Sequence, residues 1–339
     1  LDNVAGYLHR KAQRMKHLTI VVPDGDNNIS SITGTYEILR KANAFWKERT
    51  GREAFAIQLA GVSPAVAYSN GLFTVTPQLY IKDIAQTALV IIPSLNHNYA
   101  QAVAANGELI DWVAAQYRGG AEVATICTGA FLLAASGLLD GRSCSTHWSV
   151  ADTFRNLFPK VILQPDKLIT DEAGIYTNGG AYSFLNLVIY LVEKYYDRAT
   201  AIYCAKVFQV ELERNSQSPF AIFTGQKGHG DEVVAQAQAY METRLDEKLS
   251  VEDLSARFAV GRRNFDRRFI KATGNTPVEY AQRVKVEAAK KAIEGGRKTI
   301  NEVMYDVGYS DVKAFRELFR RLTGMSPLAY RNKYNREAV

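Results

Sequence analysis

Residues 265–283 read FDRRFIKATGNTPVEYAQR and residues 315–333 read FRELFRRLTGMSPLAYRNK, so one stretch of this chain is written nearly twice. Superposition pairs Phe265 with Phe315, Phe269 with Phe319, Thr273 with Thr323, Gly274 with Gly324, Pro277 with Pro327 and Tyr280 with Tyr330, each 50 residues apart. Upstream, Leu254 and Phe258 match Val303 and Val307 at a spacing of 49, which puts one extra residue in the second copy, in the turn around Gly308. The pattern is that of a duplicated helical unit.

Each copy divides into a short helix, a tight turn and a second helix: SVEDLSARF, AVG and RRNFDRRFIKATG, then TINEVMYDV, GYS and DVKAFRELFRRLTG. Phenylalanines four apart share one face of a helix, which forces Arg263, Asp266 and Arg267, or Lys313, Arg316 and Glu317, to point elsewhere. Gly274 and Gly324 stand where a helix ends in a left-handed residue, and Pro277 and Pro327 open the next helix. A short helix followed by one with a polar, basic outer face is the helix-turn-helix pattern. Between the copies, residues 277–294 place Val278, Ala281, Val284, Ala288 and Ile293 at roughly helical spacing and predict one connecting helix. Such a helix is roughly 27 Å long, a little under the ~34 Å between major-groove entries on one face of a duplex. Two heads on one rigid rod reach successive grooves if the DNA bends slightly.

The stretch 307–334, VGYSDVKAFRELFRRLTGMSPLAYRNKY, resembles the signature of the AraC/XylS family of bacterial transcription regulators, and the likeness covers about 231–334. The resemblance implies that the second helix of each unit lies in the major groove of double-stranded DNA. Its reading positions then fall on Arg262, Arg263, Asp266 and Arg267 in the first unit and on Val312, Lys313, Arg316 and Glu317 in the second. Many members carry arginine where Glu317 stands, so the second head is expected to read a base such as cytosine or to bind more weakly.

The charge distribution agrees with that expectation. From residue 231 onward there are 21 lysines and arginines against 16 acids, whereas residues 1–230 hold 20 against 19, so the positive field belongs to the repeated part. A chain of 339 residues, 47% hydrophobic, has room for two domains with well-formed cores and is neither disordered nor fibrous. The three cysteines, Cys127, Cys144 and Cys204, are odd in number and lack metal-ligand spacing, which fits a reducing cytoplasm. No stretch of about 18 apolar residues and no secretory leader pattern is found, so a non-membrane protein is expected.

Ahead of the repeat, HLTIVVP (17–23) predicts a strand and residues 33–47 a helix. FAIQLAGV (55–62) and LVIIP (89–93) predict further strands, with a hairpin around Ser69, Asn70 and Gly71 between them. Residues 106–117 predict a helix, EVATIC (122–127) a strand, and TGAFLLAAS (128–136) a helix that follows at once. A further helix ends at Phe158, a two-stranded stretch spans 162–176, and two helices fill 182–211. This alternation predicts an α/β fold with a doubly wound, mostly parallel sheet, followed by an all-α domain with two helix-turn-helix units.

ICTGAFLLAASGLLDG followed by STHW carries a second resemblance, to the PfpI-like branch of the flavodoxin-like class I glutamine amidotransferase fold, in the GlxA-type form fused to AraC-type domains. The likeness covers about 16–211. It implies a sharp strand-to-helix turn at Cys127, where backbone N–H groups and a helix dipole favour a thiolate or a bound anion. Catalytic relatives carry a carboxylate in the segment matching 29–34, where this chain has Ser31. Hydrolytic relatives often place histidine after the cysteine, where this chain has Thr128. His147 is followed by Trp148 and Ser149 rather than by an acid two residues on. With those partners missing, Cys127 is read as a pocket residue and the chain as a regulator, not an enzyme. The alternative is a cysteine-dependent hydrolase or hydratase that carries a DNA-binding domain. Asp24, Ser31, Cys127, Thr128 and His147 form the candidate pocket for a small effector, and the resemblance implies a nitrogenous metabolite. No cofactor and no metal are assigned, and a homodimer is expected.

The expected organisation is an N-terminal extension (1–15), a sensor domain (16–211), a linker (212–230) on which Phe220, Ile222 and Phe223 are docking candidates, and a DNA-binding domain (231–335). Its helix-turn-helix units are expected at about 250–274 and 299–324.

Overall fold

A computed structural model describes residues 15–96, 98–214 and 216–335. All but one residue of the expected N-terminal extension lies outside them. The described residues form two compact units, divided between Gln217 and Ser218.

The first unit runs β1 (Lys16–Val22), α1 (Ile29–Thr50), β2 (Phe55–Gly61), β3 (Val66–Tyr68), β4 (Phe73–Val75), β5 (Leu79–Tyr80), β6 (Leu89–Ile92), α2 (Tyr99–Ala105), α3 (Gly107–Arg118), β7 (Glu122–Thr125), α4 (Ala130–Ala135), β8 (Ser143–Cys144), α5 (Ala151–Leu157), β9 (Ile162–Leu163), β10 (Ile169–Glu172), β11 (Ile175–Asn178), α6 (Phe184–Tyr195) and α7 (Arg198–Phe208). Seven strands form one sheet in the order β10-β11-β7-β6-β1-β2-β5, parallel except at the β10–β11 edge. Alternation along β1 explains why the sheet is covered twice. Leu18, Ile20 and Val22 face a core shared with α1, α6 and α7, and Val21 faces a second core with α3, α4 and α5.

Several local readings hold and several shift. Helix α1 starts at Ile29 rather than 33 because the Asn28 side chain accepts from the Ser30 N–H, and it ends on left-handed Gly51. The β3–β4 hairpin turns through Ser69, Asn70 and Gly71, all at positive φ, but it stands apart from the main sheet. The two-stranded stretch expected at 162–176 is divided: β9 pairs with β8, and the hairpin is β10–β11, turning at Ala173 and Gly174. Helix α2 had no counterpart in the sequence reading.

The second unit runs α8 (Glu232–Thr243), α9 (Val251–Arg257), α10 (Arg262–Thr273), α11 (Pro277–Gly295), α12 (Ile300–Asp306), α13 (Val312–Thr323) and α14 (Pro327–Tyr334). Phe265, Phe269, Phe315 and Phe319 are fully buried, and Gly274 and Gly324 cap their helices in the left-handed conformation. The connecting helix α11 is the shared beam. Its Tyr280, Ala281 and Val284 enter the core around α8–α10, and its Val286, Ala289 and Ile293 enter the core around α12–α14. Val278, assigned to the apolar face, is instead 44% exposed, because Pro277 and Tyr280 occupy the inward positions of that turn. The extra residue of the second copy sits where expected: residues 258–261 join α9 to α10, whereas 307–311 join α12 to α13. Of the described helices, none is long and apolar enough to cross a membrane.

Candidate effector elbow and DNA-reading face

The strand order reverses between β1 and β6, and a doubly wound sheet opens a crevice at the carboxyl ends of the strands at such a point. The loop after β1 carries Asp24, the loop after β6 carries Ser94, and β7 beside it ends in the turn that holds Cys127. Cys127 has φ +53°, the sparsely populated left-handed conformation of a strand-to-helix elbow. A short 3-10 turn from Cys127 to Gly129 then leads into α4. Gly129 has no room for a side chain, since a Cβ there would lie 2.5 Å from the Pro93 carbonyl oxygen.

A hydroxyl network surrounds the elbow. Ser31 Oγ donates to the Asn28 carbonyl (2.7 Å) and accepts from the Ser94 N–H (3.1 Å). Ser94 Oγ and Thr128 Oγ1 are 2.9 Å apart, and Thr128 Oγ1 accepts from the Leu95 N–H (2.9 Å) and donates to the Leu95 carbonyl (2.7 Å). Ser31, Thr128 and Cys127 are thus brought together and buried. Burial pushes the Cys127 thiol above its ordinary range, partly offset by hydrogen bonds from Ser94, Thr128 and the His147 main chain. The groups that hydrogen-bond the thiol are hydroxyls and a main-chain amide, whereas activation of a cysteine nucleophile calls for a neighbouring base or cation.

His147 meets the elbow through its backbone. Its imidazole Nδ1 accepts from the Ser149 N–H (3.2 Å) and lies 2.7 Å from Ser149 Oγ, and burial lowers its pKa, keeping the ring neutral. The main chain of Asp24 is clamped by the Asn106 side chain at 2.8 and 2.9 Å. Asp24 and His147 are half-buried and are the accessible members of the group. Ser94 was missed by the sequence reading, because a serine after a strand gives no periodic signal.

On the second unit, α10 presents Arg262, Arg263 and Arg267 to solvent, with Asp266 half-buried beside them. Arg262 Nη1 pairs with Glu252 Oε1 at 2.5 Å and Arg267 Nη2 donates to Asn264 Oδ1 at 3.0 Å. Exposed pairs of this kind contribute about 1 kcal/mol at most and release readily to a phosphate. Arg268 is different: two bonds to Asp231 (2.8 and 2.7 Å) tie α10 to the N-terminus of α8. On α13, Asp311 caps the helix by accepting from the Lys313 and Ala314 N–H groups, and Lys313, Arg316 and Glu317 are exposed. Val312 is half-buried against the core around α12–α14, so only part of it is open to a base.

Residues 19–194, just over half of the chain, match the DJ-1/PfpI family. The chain belongs to that family. Residues 254–333 match a helix-turn-helix domain, so the DJ-1/PfpI unit is joined to an AraC-type DNA-binding unit. Among curated relatives, the transcriptional regulator GbdR of Pseudomonas aeruginosa is 23% identical over 298 residues, covering 88% of this chain and 79% of the relative. The regulator GlxA of Rhizobium meliloti is 25% identical over 244 residues, covering 68% and 74%. A solved structure from Vibrio parahaemolyticus described as a transcriptional regulator shares the DJ-1/PfpI fold, with a TM-score of 0.51 and 23% identity over 57% of this chain and 98% of that one.

Proposed function

We propose that this DJ-1/PfpI-family chain is a DNA-binding transcriptional regulator whose first unit senses a small molecule at the Cys127 elbow and whose second unit reads double-stranded DNA with α10 and α13. The observation that carries the reading is the duplicated helix-turn-helix, each copy with its own core and with an exposed, charged second helix, joined by the single beam α11. Its relatives of the same architecture are named transcriptional regulators.

The effector is proposed to be a small nitrogenous metabolite that approaches past Asp24 and His147, since Cys127, Ser31 and Thr128 lie beneath the surface. The chain is proposed to act without turnover, in the cytoplasm and as a homodimer. Leu72 and Phe73 on the β3–β4 hairpin, and Leu79 and Tyr80 on edge strand β5, are exposed apolar groups that a second copy would cover. The deciding experiment selects duplexes from a random-sequence pool with the full chain and measures their affinity by fluorescence anisotropy. Enrichment of a motif with two half-sites supports the reading, and failure to enrich any sequence overturns it.

A further inference from the structure

Residue 217 is the last of the first unit and Ser218 the first of the second. The chain on each side of that bond is pinned rather than loose, although its composition reads as a linker.

On the first side, Gln217 is 1% exposed. Its Oε1 accepts from the Trp148 N–H (3.1 Å), its Nε2 donates to the Thr146 carbonyl (2.8 Å), and its own N–H donates to the Asp166 carbonyl (3.1 Å). The amide plugs into the backbone of the 145–148 loop as a strand neighbour would. The fit excludes a Cβ on Gly179, which would lie 2.1 Å from Gln217 Nε2. That loop is part of the elbow: Thr146 Oγ1 donates to the Cys127 carbonyl at 3.0 Å, and the next residue is His147.

On the second side, residues 218–230 cross the DNA-reading unit from one copy to the other. The Pro219 carbonyl accepts from Tyr334 Oη on α14 (3.1 Å), and Lys333 Nζ lies 4.4 Å from the Phe220 ring centroid. Along α11, Lys290 Nζ donates to the Ala221 carbonyl (2.6 Å) and Glu287 Oε2 accepts from the Phe223 N–H (3.1 Å). These two charges are buried and paired at 2.7 Å. Phe223 packs edge-on against Tyr280 in the core around α8–α10. The Gln226 carbonyl accepts from Gln238 Nε2 on α8 (2.8 Å), and Gln226 Oε1 accepts from Asn275 Nδ2 after α10 (3.1 Å). A buried ion pair that also hydrogen-bonds the main chain of a passing segment holds that segment in one place. Of the three docking candidates Phe223 is the one packed on a core, whereas Phe220 is 39% and Ile222 52% exposed.

We propose that residues 218–226 are a strap that sets the angle between the two reading heads, and that Gln217 is the positioning residue through which occupancy of the elbow is transmitted to it. The inference rests on the DNA-reading assignment above. An effector that moves the 145–148 loop displaces the amide of Gln217 and, one peptide bond later, the strap. By linkage, a duplex that demands one angle between the heads alters the loop in return.

Hydrogen exchange on the full chain tests it in two arms. Without DNA, Gln217→Ala speeds exchange at least tenfold in both the 145–148 loop and the 218–226 segment while α12–α13 stays unchanged. Faster exchange in the loop alone overturns the proposal and leaves Gln217 a local plug. With a duplex selected by the wild type, loop exchange changes on binding in the wild type and not in Gln217→Ala. Strap variants Glu287→Gln and Lys290→Met weaken duplexes with two half-sites at least tenfold and leave a single half-site unaffected. Duplex binding by the wild type with no change in the loop overturns the coupling while sparing the DNA-binding reading. Absence of duplex binding overturns that reading, and the DNA-free arm still decides for or against the strap.

Discussion

Cys127 is held in a backbone conformation that L residues avoid, and burial keeps its thiol protonated. Burial likewise pushes Cys144 up to about 12. Between the ordinary thiol value of ~8.5 and the raised one, the folded chain keeps a proton that the unfolded chain has lost. The stabilisation is therefore complete below pH ~8.5 and is lost as pH climbs through the raised value. Two outcomes are expected. Iodoacetamide labels Cys127 and Cys144 at pH 7.5 roughly 100-fold more slowly than a peptide thiol, as read by mass spectrometry. Cys127→Ser retains duplex binding within about twofold in anisotropy titrations. The elbow itself was legible, because EVATIC reads as a strand and TGAFLLAAS as a helix that follows at once, and the family resemblance implied a sharp turn at Cys127. Its neighbours were less so: Ser94 acts through bonds to the Ser31 and Thr128 hydroxyls and Gln217 through two side-chain bonds to the 146–148 backbone, and no periodicity marks such residues.

The elements whose signals are local and redundant were the ones that could be read. Each helix of the repeat is specified by a cap, a buried face and a breaker together, and the parallel strands by short apolar runs. What escaped lacks such redundancy: α2, an amphipathic helix of 7 residues with no fully buried side chain, and the strap, whose order comes from Lys290 and Glu287 about 65 residues later in the chain. The two inter-helix turns offer a direct comparison at this scale. Ala259 sits at φ +50° where the second copy has Gly308 at +74°, and a Cβ on Gly308 would lie 2.5 Å from the Asp246 carbonyl oxygen. Gly308→Ala is expected to destabilise the fold by more than about 1 kcal/mol. Ala259→Gly is expected to stabilise by about 0.5 kcal/mol, since relief of the left-handed strain exceeds the added chain entropy. Urea unfolding midpoints at constant slope check each. At the α8–α10 tie, the Arg268 hydrogen bonds hold the Asp231 carboxylate below its usual value. That contribution is present above pH ~4 and is lost as pH falls further, so Asp231→Asn removes part of the acid-side loss of stability.

At the scale of the whole molecule, the two heads and the beam make one electrostatic and one geometric demand on the duplex. Each lysine or arginine that neutralises a phosphate releases condensed counterions, so log affinity falls linearly with log salt in proportion to the number of such contacts. The first head offers three exposed arginines, Arg262, Arg263 and Arg267, and the second offers Lys313 and Arg316, so the full chain is expected to show a steep slope. Substitutions then separate readers from anchors. Arg263, which has neither the Glu252 tether of Arg262 nor the Asn264 contact of Arg267, is the residue proposed to read a base from the first head. Arg263→Ala is expected to cost ~1–3 kcal/mol on the preferred duplex and to relax preference at one base position, with the salt slope nearly unchanged. Lys313 stands on the first turn of α13, where phosphates approach a helix N-terminus, and its ammonium is a point charge without the planar fork that suits a base edge. Lys313→Ala is expected to weaken all duplexes alike and to lower the slope by about 1. Anisotropy titrations between 50 and 200 mM salt, on the selected duplex and on single-base variants, distinguish the two. The opposite pattern, uniform loss for Arg263 and relaxed preference for Lys313, would exchange their assignments, and an affinity independent of salt would refute a duplex-binding face on this unit.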